Sequence, residues 1–206
     1  MKLDGGGDVA WRYQQSGVRG AVEASRASIF VLAWRDSRRY DLTRLSPGGQ
    51  KQWQRTYGND TLRRAEALAP AGDGAAVLAA RSVPESIEER VVVTRVDDRG
   101  AIAWRREYAR GDLSAAAITK LPDGGFAFGY ARRERETGPQ RSYIVRVGPD
   151  GAVQWRRRFG PQEGDTRVSA LTAGPGGTVV AAGSTCAEFY PGVPCGDLLV
   201  VTYGAE

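Results

Sequence analysis

The 206-residue chain contains no histidine. That removes the commonest general base, the Ser-His-Asp triad and most catalytic zinc sites. What chemistry remains rests on carboxylates and cysteines. Asp60, Asp112 and Asp165 fall in corresponding loops. Two such carboxylates about 5–9 Å apart could hydrolyse a glycosidic bond. The simpler reading makes each a turn residue that accepts from nearby backbone N–H groups. LDGGGD, VDDRG, GPDG and LPDGG share the look of calcium loops but lack the alternating ligands and terminal Glu that such loops need, so they read as hairpin turns. Cys186 and Cys195, in STCAEFYPGVPC, are spaced for a disulfide that staples a loop, with two free thiols as the alternative. Two thiolates without histidine do not complete a zinc shell, so neither metal nor cofactor is expected.

The elements that would carry these residues are set by a repeat. Trp11, Trp53, Trp104 and Trp155 each follow a glycine by four residues: Gly7, Gly49, Gly100 and Gly151. A basic residue stands nine positions before each Trp (Lys2, Arg44, Arg95, Arg146), followed by an aliphatic one. The copies are spaced by 42, 51 and 51 residues. In the third copy, residues 91–96 are β-branched and read as a strand, 97–100 as a turn and 101–108 as the returning strand. A polar break at 110–112 precedes a further strand over 115–121, the turn Pro122-Asp123-Gly124-Gly125 and a strand over 126–131. Alternation puts Trp, Arg and an aromatic of each W-x-R-x-[YF] unit on one face, where the guanidinium can stack on a ring for roughly 0.5–2 kcal/mol.

A lone four-stranded sheet cannot bury both faces; radial stacking of such sheets can. The expected fold is therefore an all-β propeller, one domain of four blades with four antiparallel strands each. The repeats run over about 1–39, 40–89, 90–141 and 142–197. Residues 198–203 match the strand at 142–147, and two readings follow. Either this closing strand completes the first blade and the ring, giving a monomer, or the array is part of a larger propeller. A length near four periods favours closure.

SYIVRVGPDGAVQWRRR at 142–158, with LPDGGFAFGY at 121–130, resembles the repeats of bacterial secreted, lipoprotein-type β-propeller proteins. The resemblance covers nearly the whole chain and implies an exported or cell-surface propeller of unknown ligand, extracellular or periplasmic. No signal peptide is visible at the N-terminus, and no run is long and apolar enough to span a membrane. The net charge is +5, and all but three of the 29 basic residues are Arg. Arg, Asp and Glu on exposed strand faces account for this, without nucleic-acid binding.

The functional expectation is a non-catalytic binding or scaffold module. The longer polar connections at 81–90, 132–141 and 184–196 occupy equivalent positions, so they should share one rim. Arg132 and Arg133 begin one of them; Phe189 and Tyr190 lie in the last, beside the cysteine pair. A protein or glycan is the expected partner. The alternatives are a carboxylate-based glycan hydrolase or lyase on the same scaffold, and a structural fragment of a larger propeller.

Overall fold

Hydrogen-bond ladders divide the chain differently from its repeats. The computed structural model describes residues 2–3, 5–16, 20–35, 39–58, 64–71, 76–82, 89–133, 138–162, 164–186 and 197–204. A short hairpin, β1 (Lys2–Leu3) with β2 (Val9–Trp11), comes first. The first unit is the meander β3 (Gly20–Ala24), β4 (Ile29–Trp34), β5 (Arg39–Leu45) and β6 (Lys51–Gly58). The second holds β7 (Arg64–Pro70), β8 (Ala76–Ser82), β9 (Glu89–Val96) and the front of β10 (Ile102–Lys120). The back of β10 opens the third, with β11 (Phe126–Arg133), β12 (Gln140–Val147) and β13 (Val153–Phe159). The fourth is three-stranded: β14 (Asp165–Ala173), β15 (Val179–Cys186) and β16 (Asp197–Tyr203). Every pairing is antiparallel. The second, third and fourth sequence copies thus each start on the third strand of a unit and end on the second strand of the next.

Two expectations are corrected. The polar break at 110–112 is not a break: β10 runs straight through it, pairing with β9 up to Gly111 and with β11 from Asp112. Gly111, at φ 127°, provides the backbone freedom for this change of partner. Units two and three therefore form one seven-stranded sheet. Nor does the C-terminal strand close a ring. Among the described residues β16 pairs only with β15, and β2, three residues long, pairs only with β1.

Strand alternation places apolar side chains on both faces of the middle strands, as stacked sheets require. In β9, Val91 and Val93 face the third unit while Val96 faces the first. In β11, Phe126 and Phe128 face one core and Ala127 the next. Three separate cores result, each between neighbouring units. Phe30, Leu42, Tyr57 and Val96 fill the first; Tyr108, Leu113, Phe128 and Val145 the second; Ile144, Phe159, Val168 and Val179 the third.

The tryptophan repeat is the joint between units. Trp53 Nε1 donates to the Asp98 carbonyl at 2.8 Å, and Arg44 donates to the same oxygen at 3.0 Å. One unit on, Trp104 and Arg95 both donate to the Pro149 carbonyl at 2.9 Å. Trp11 Nε1 reaches the Pro47 carbonyl at 3.2 Å. Tyr57 and Tyr108 add hydroxyl bonds to the Gly100 and Gly151 carbonyls, at 2.6 and 2.8 Å. Burial pushes both phenols up to about 12, so they remain donors at any ordinary pH. The turn glycines are doubly constrained. Gly100 has φ 79°, and a Cβ there would lie 2.8 Å from Arg55 Cγ and 3.2 Å from the Trp53 ring.

The turn between β10 and β11 carries a partly buried ion pair. Arg146 Nη2 donates to Asp123 Oδ2 at 2.8 Å, with the arginine side chain 6% exposed and the aspartate 41%. Burial alone would raise the Asp123 carboxyl; the hydrogen bond from Arg146, one from the Gly125 N–H and the Arg146 charge outweigh it and hold the pKa below the usual carboxylate value.

These contacts set two testable expectations. Gly100→Ala should lower unfolding free energy in urea by about 2 kcal/mol, whereas Gly48→Ala should be near neutral, because a Cβ there meets nothing closer than 3.7 Å and no positive φ is required. The Asp123 carboxylate stabilises the fold above its unfolded pKa of about 4, and that contribution disappears as pH falls through its lower folded value. Asp123→Asn should therefore cost about 1 kcal/mol at pH 7, with screening of a part-exposed group allowed for, and the gap to the parent protein should narrow in melts below about pH 4.

Candidate functional site

Antiparallel meanders send alternate connections to opposite rims. The tight turns at 46–49, 97–100, 121–125, 148–151 and 174–178 lie at one rim. The connections β4–β5, β8–β9, β11–β12 and β15–β16 lie at the other. The long polar connections of the sequence therefore do share a rim. Phe189, Tyr190 and Cys195 lie outside the described residues. Cys186, at the end of β15, is disulfide-bonded.

At this rim Arg132 and Arg133 end β11. Arg132 stands directly across the ladder from Arg141, and Arg133 from Gln140 and Asp112. Like charges directly opposed on a sheet repel. The register makes the equivalent pairs in the other units Arg35 and Arg39, Ser82 and Arg90, and Thr185 and Asp197. In unit one Arg35 lies 3.9 Å from Asp41, and in unit two Arg90 pairs with Glu107 at 3.2 Å. In unit three no carboxylate among the described residues approaches Arg132, Arg133 or Arg141 as an ion pair. The Nε atoms of Arg133 and Arg141 are out of water with no hydrogen-bond acceptor. Buried N–H donors without partners are uncommon in folded proteins. Residues 134–137, between the two strands, lie outside the described residues.

Two of the rim's own carboxylates hold backbone. Asp165 Oδ1 accepts the Gln140 N–H at 2.6 Å, and Glu89 Oε2 accepts the Leu113 N–H at 2.9 Å. Glu107 is paired with both Arg90 and Arg110. Asp112 lies across from Arg133 on β10, and Asp60 is outside the described residues. Asp165 thus acts as a backbone clamp, which is the simpler of the two roles its sequence position allows.

A second feature has no signal in the sequence. Asp41, only 4% exposed, accepts from Thr56 Oγ1 at 2.7 Å and from Gln54 Nε2 at 3.1 Å. It lines a polar hollow of about 640 Å³ with Tyr13, Gln15, Arg35, Lys51 and Gln54. The Gln15 Nε2 there has no acceptor. In sequence Asp41 is one polar residue in a strand, and nothing in its spacing singles it out.

No protein-family model matches the chain, and no curated protein matches it in sequence. Solved structures do match in fold. The NanB sialidase of Streptococcus pneumoniae, as its K499G mutant, superposes with TM-score 0.51 at 12% identity, covering 80% of this chain and 27% of that one. A Glu150Gln mutant of the Synechocystis apocarotenoid oxygenase superposes with TM-score 0.44 at 13% identity, over 78% of this chain and 38% of that one. The chain therefore spans well under two thirds of these enzymes. At such identities the likeness to the sialidase shows an all-β, propeller-like scaffold and nothing of activity.

If Asp165 is a clamp, Asp165→Ala should cost about 1–2 kcal/mol in urea unfolding, and amide exchange at Gln140 should accelerate. Asp112→Ala, on the exposed side of β10, should change stability by less than about 0.5 kcal/mol.

Proposed function

We propose that this chain is a non-catalytic binding module built from propeller-type blades, exported to an oxidising compartment, and that its long-loop rim receives an acidic group of a protein or glycan. The observation that carries this reading is the opposed pair Arg132 and Arg141, with Arg133 beside them. Opposed arginines cost stability unless a counter-charge arrives, and a planar guanidinium suits carboxylate, sulfate or phosphate oxygens in paired hydrogen bonds. The equivalent position is Arg with Arg in units one and three but Ser with Arg in unit two and Thr with Asp in unit four, unlike the tryptophan joint, and only in unit three do the arginines lack an ion pair to a carboxylate among the described residues; a recognition surface is free to break repeat symmetry in this way. The disulfide at Cys186 supports export, since such bonds persist outside the reducing cytosol.

The test is retention on immobilised acidic polysaccharides, sulfated and uronate, and on an acidic peptide, with a neutral glycan as control. Binding should weaken as salt rises from about 50 to 300 mM. The double variant Arg132→Ala with Arg141→Ala should raise the dissociation constant at least about tenfold with a melting temperature equal to or above that of the parent. Absence of binding to all three probes, or binding indifferent to the double variant, would refute the reading.

A further inference from the structure

Equivalent positions of units two and three hold opposite charges. In unit two Arg90 is paired with Glu107, which reaches it from the neighbouring strand at 3.2 Å. The residues 51 positions on, at the same places in unit three, are Arg141 and Arg158. The carboxylate of one unit is thus a guanidinium in the next. Unit one shows a second exchange of this kind. There Asp41 is the carboxylate near Arg35, at 3.9 Å, and two repeats on its place is taken by Tyr143. Unit three has therefore replaced, at two positions, the acid that its neighbours set beside their rim arginines.

The register gathers these side chains on one sheet face. Directly opposed residues of neighbouring strands point the same way. Arg132 is opposite Arg141, Tyr130 opposite Tyr143, and Tyr143 opposite Arg158. The rings of Tyr130 and Tyr143 stack, with centroids 5.4 Å apart and planes at 23°, and both pack toward unit two. Arg156 lies over the Tyr130 ring at 5.9 Å and donates to the Tyr108 carbonyl at 2.7 Å. Arg158 donates to the Gln162 carbonyl. Burial raises the Tyr130 phenol pKa, and the charges of Arg156 and Arg132 both oppose that rise, so the two guanidinia act on one ring. The arginines thus form a corner around the tyrosine pair, with Arg132 and Arg141 along the rim and Arg156 and Arg158 along β13. Strands about 4.8 Å apart make the corner about 10 Å wide from β11 to β13. Arg132 and Arg156 are exposed, while Arg141, Arg158 and Tyr143 are half-buried. The Nε atoms of Arg141 and Arg158 are out of water with no acceptor.

A single carboxylate neutralises one side of such a corner. A ligand that meets both sides carries at least two anionic groups, with an apolar surface between them to lie against the ring in the bend. An acidic oligosaccharide has this form: carboxylates or sulfates project from successive sugar rings, and the C–H face of a ring packs on an aromatic side chain. An acidic peptide holds its charges on flexible stems with no ring between them. We infer that unit three binds an acidic oligosaccharide, with one charged group on Arg132 and Arg141, the next on Arg156 and Arg158, and a sugar ring against Tyr143. This inference rests on the reading of the rim as an acceptor of acidic groups; it names the ligand and extends the contact onto β13.

The test is titration of the chain with oligogalacturonates of increasing length, from a single ring upward, with sulfated oligosaccharides of matching lengths, and with an acidic peptide and a short single-stranded oligonucleotide of equal charge. The dissociation constant should fall at least about tenfold from one ring to three and change little with further rings. A gain with length in either sugar series supports the inference, and the stronger series identifies the acid. Arg158→Glu puts at this position the carboxylate that unit two has. It should raise the dissociation constant of the three-ring acid at least about tenfold and raise the melting temperature by about 2 °C through its pairing with Arg141; an arginine with a purely structural role would lower the melting temperature instead. Arg156→Gln, at an exposed position, should reduce the gain with length and leave the one-ring affinity unchanged. Equal affinity for one ring and three, or tighter binding of the peptide or the oligonucleotide, would overturn this inference and leave the affinity of the rim for acidic groups standing. No binding of any acidic probe would overturn both.

Discussion

The hydrogen bond from a tryptophan indole to a turn carbonyl of the next unit is the constraint on which the rest depends. No unit in this chain has a core of its own. Each apolar cluster lies between two sheets, so a sheet can hide its side chains only when a neighbour is in register. Hydrophobic contact alone is non-directional and would let one sheet slide over the next. The indole bond removes that freedom. It joins the exposed outer strand of one unit to a turn at the rim of the following one. In two of the three joints an arginine donates to the same oxygen and a tyrosine hydroxyl bonds two residues along. The glycine under the ring has no side chain because a Cβ would occupy the space of the ring or of the arginine stem. Register, spacing and sheet angle are thus set at one rim by one polar contact and a missing methyl group.

This division explains which features the residues reveal and which they hide. Tryptophan, glycine and the basic residue recur because they meet each other across units, so their spacing is legible in the sequence itself. The strands flanking them follow from β-branched runs and two-residue alternation. Which strands share a sheet is not legible, because the recurring string straddles two sheets and marks their joint rather than their boundaries. The continuity of β10 is hidden for a related reason. Arg110-Gly111-Asp112 has the composition of a loop, yet Gly111 serves to change pairing partners within an extended strand. The match of residues 198–203 to 142–147 identifies the strand type of β16, but similarity of a strand carries no information about which edge it meets.

The site is legible to a lesser degree. Arg132 and Arg133 stand out as charged residues at the start of a long connection. Arg141, on the far side of that connection, gains meaning only when the register puts it across from Arg132. The sequence position of Asp165 admits a catalytic role beside the simpler structural one; its bond to the Gln140 N–H is the structural one and is visible only in the fold. Asp41 is unreadable, since a buried carboxylate in a strand declares itself only through the Thr56 and Gln54 side chains that reach it from the next strand.

The two rims consequently obey different physical rules. At the tight-turn rim each carbonyl and glycine of a joint is engaged by the preceding unit, so a change there disturbs a joint and a core together. At the opposite rim the paired positions vary from Arg with Arg, through Ser with Arg, to Thr with Asp, while the strands beneath keep their register. That tolerance has a structural cause: these positions lie beyond the cores and are not required for sheet stacking. Charge can then accumulate at Arg132, Arg133 and Arg141 without disturbing the array, which is the feature on which the proposed recognition of an acidic group rests. A scaffold that concentrates its own cohesion at one rim leaves the side chains of the other free to vary.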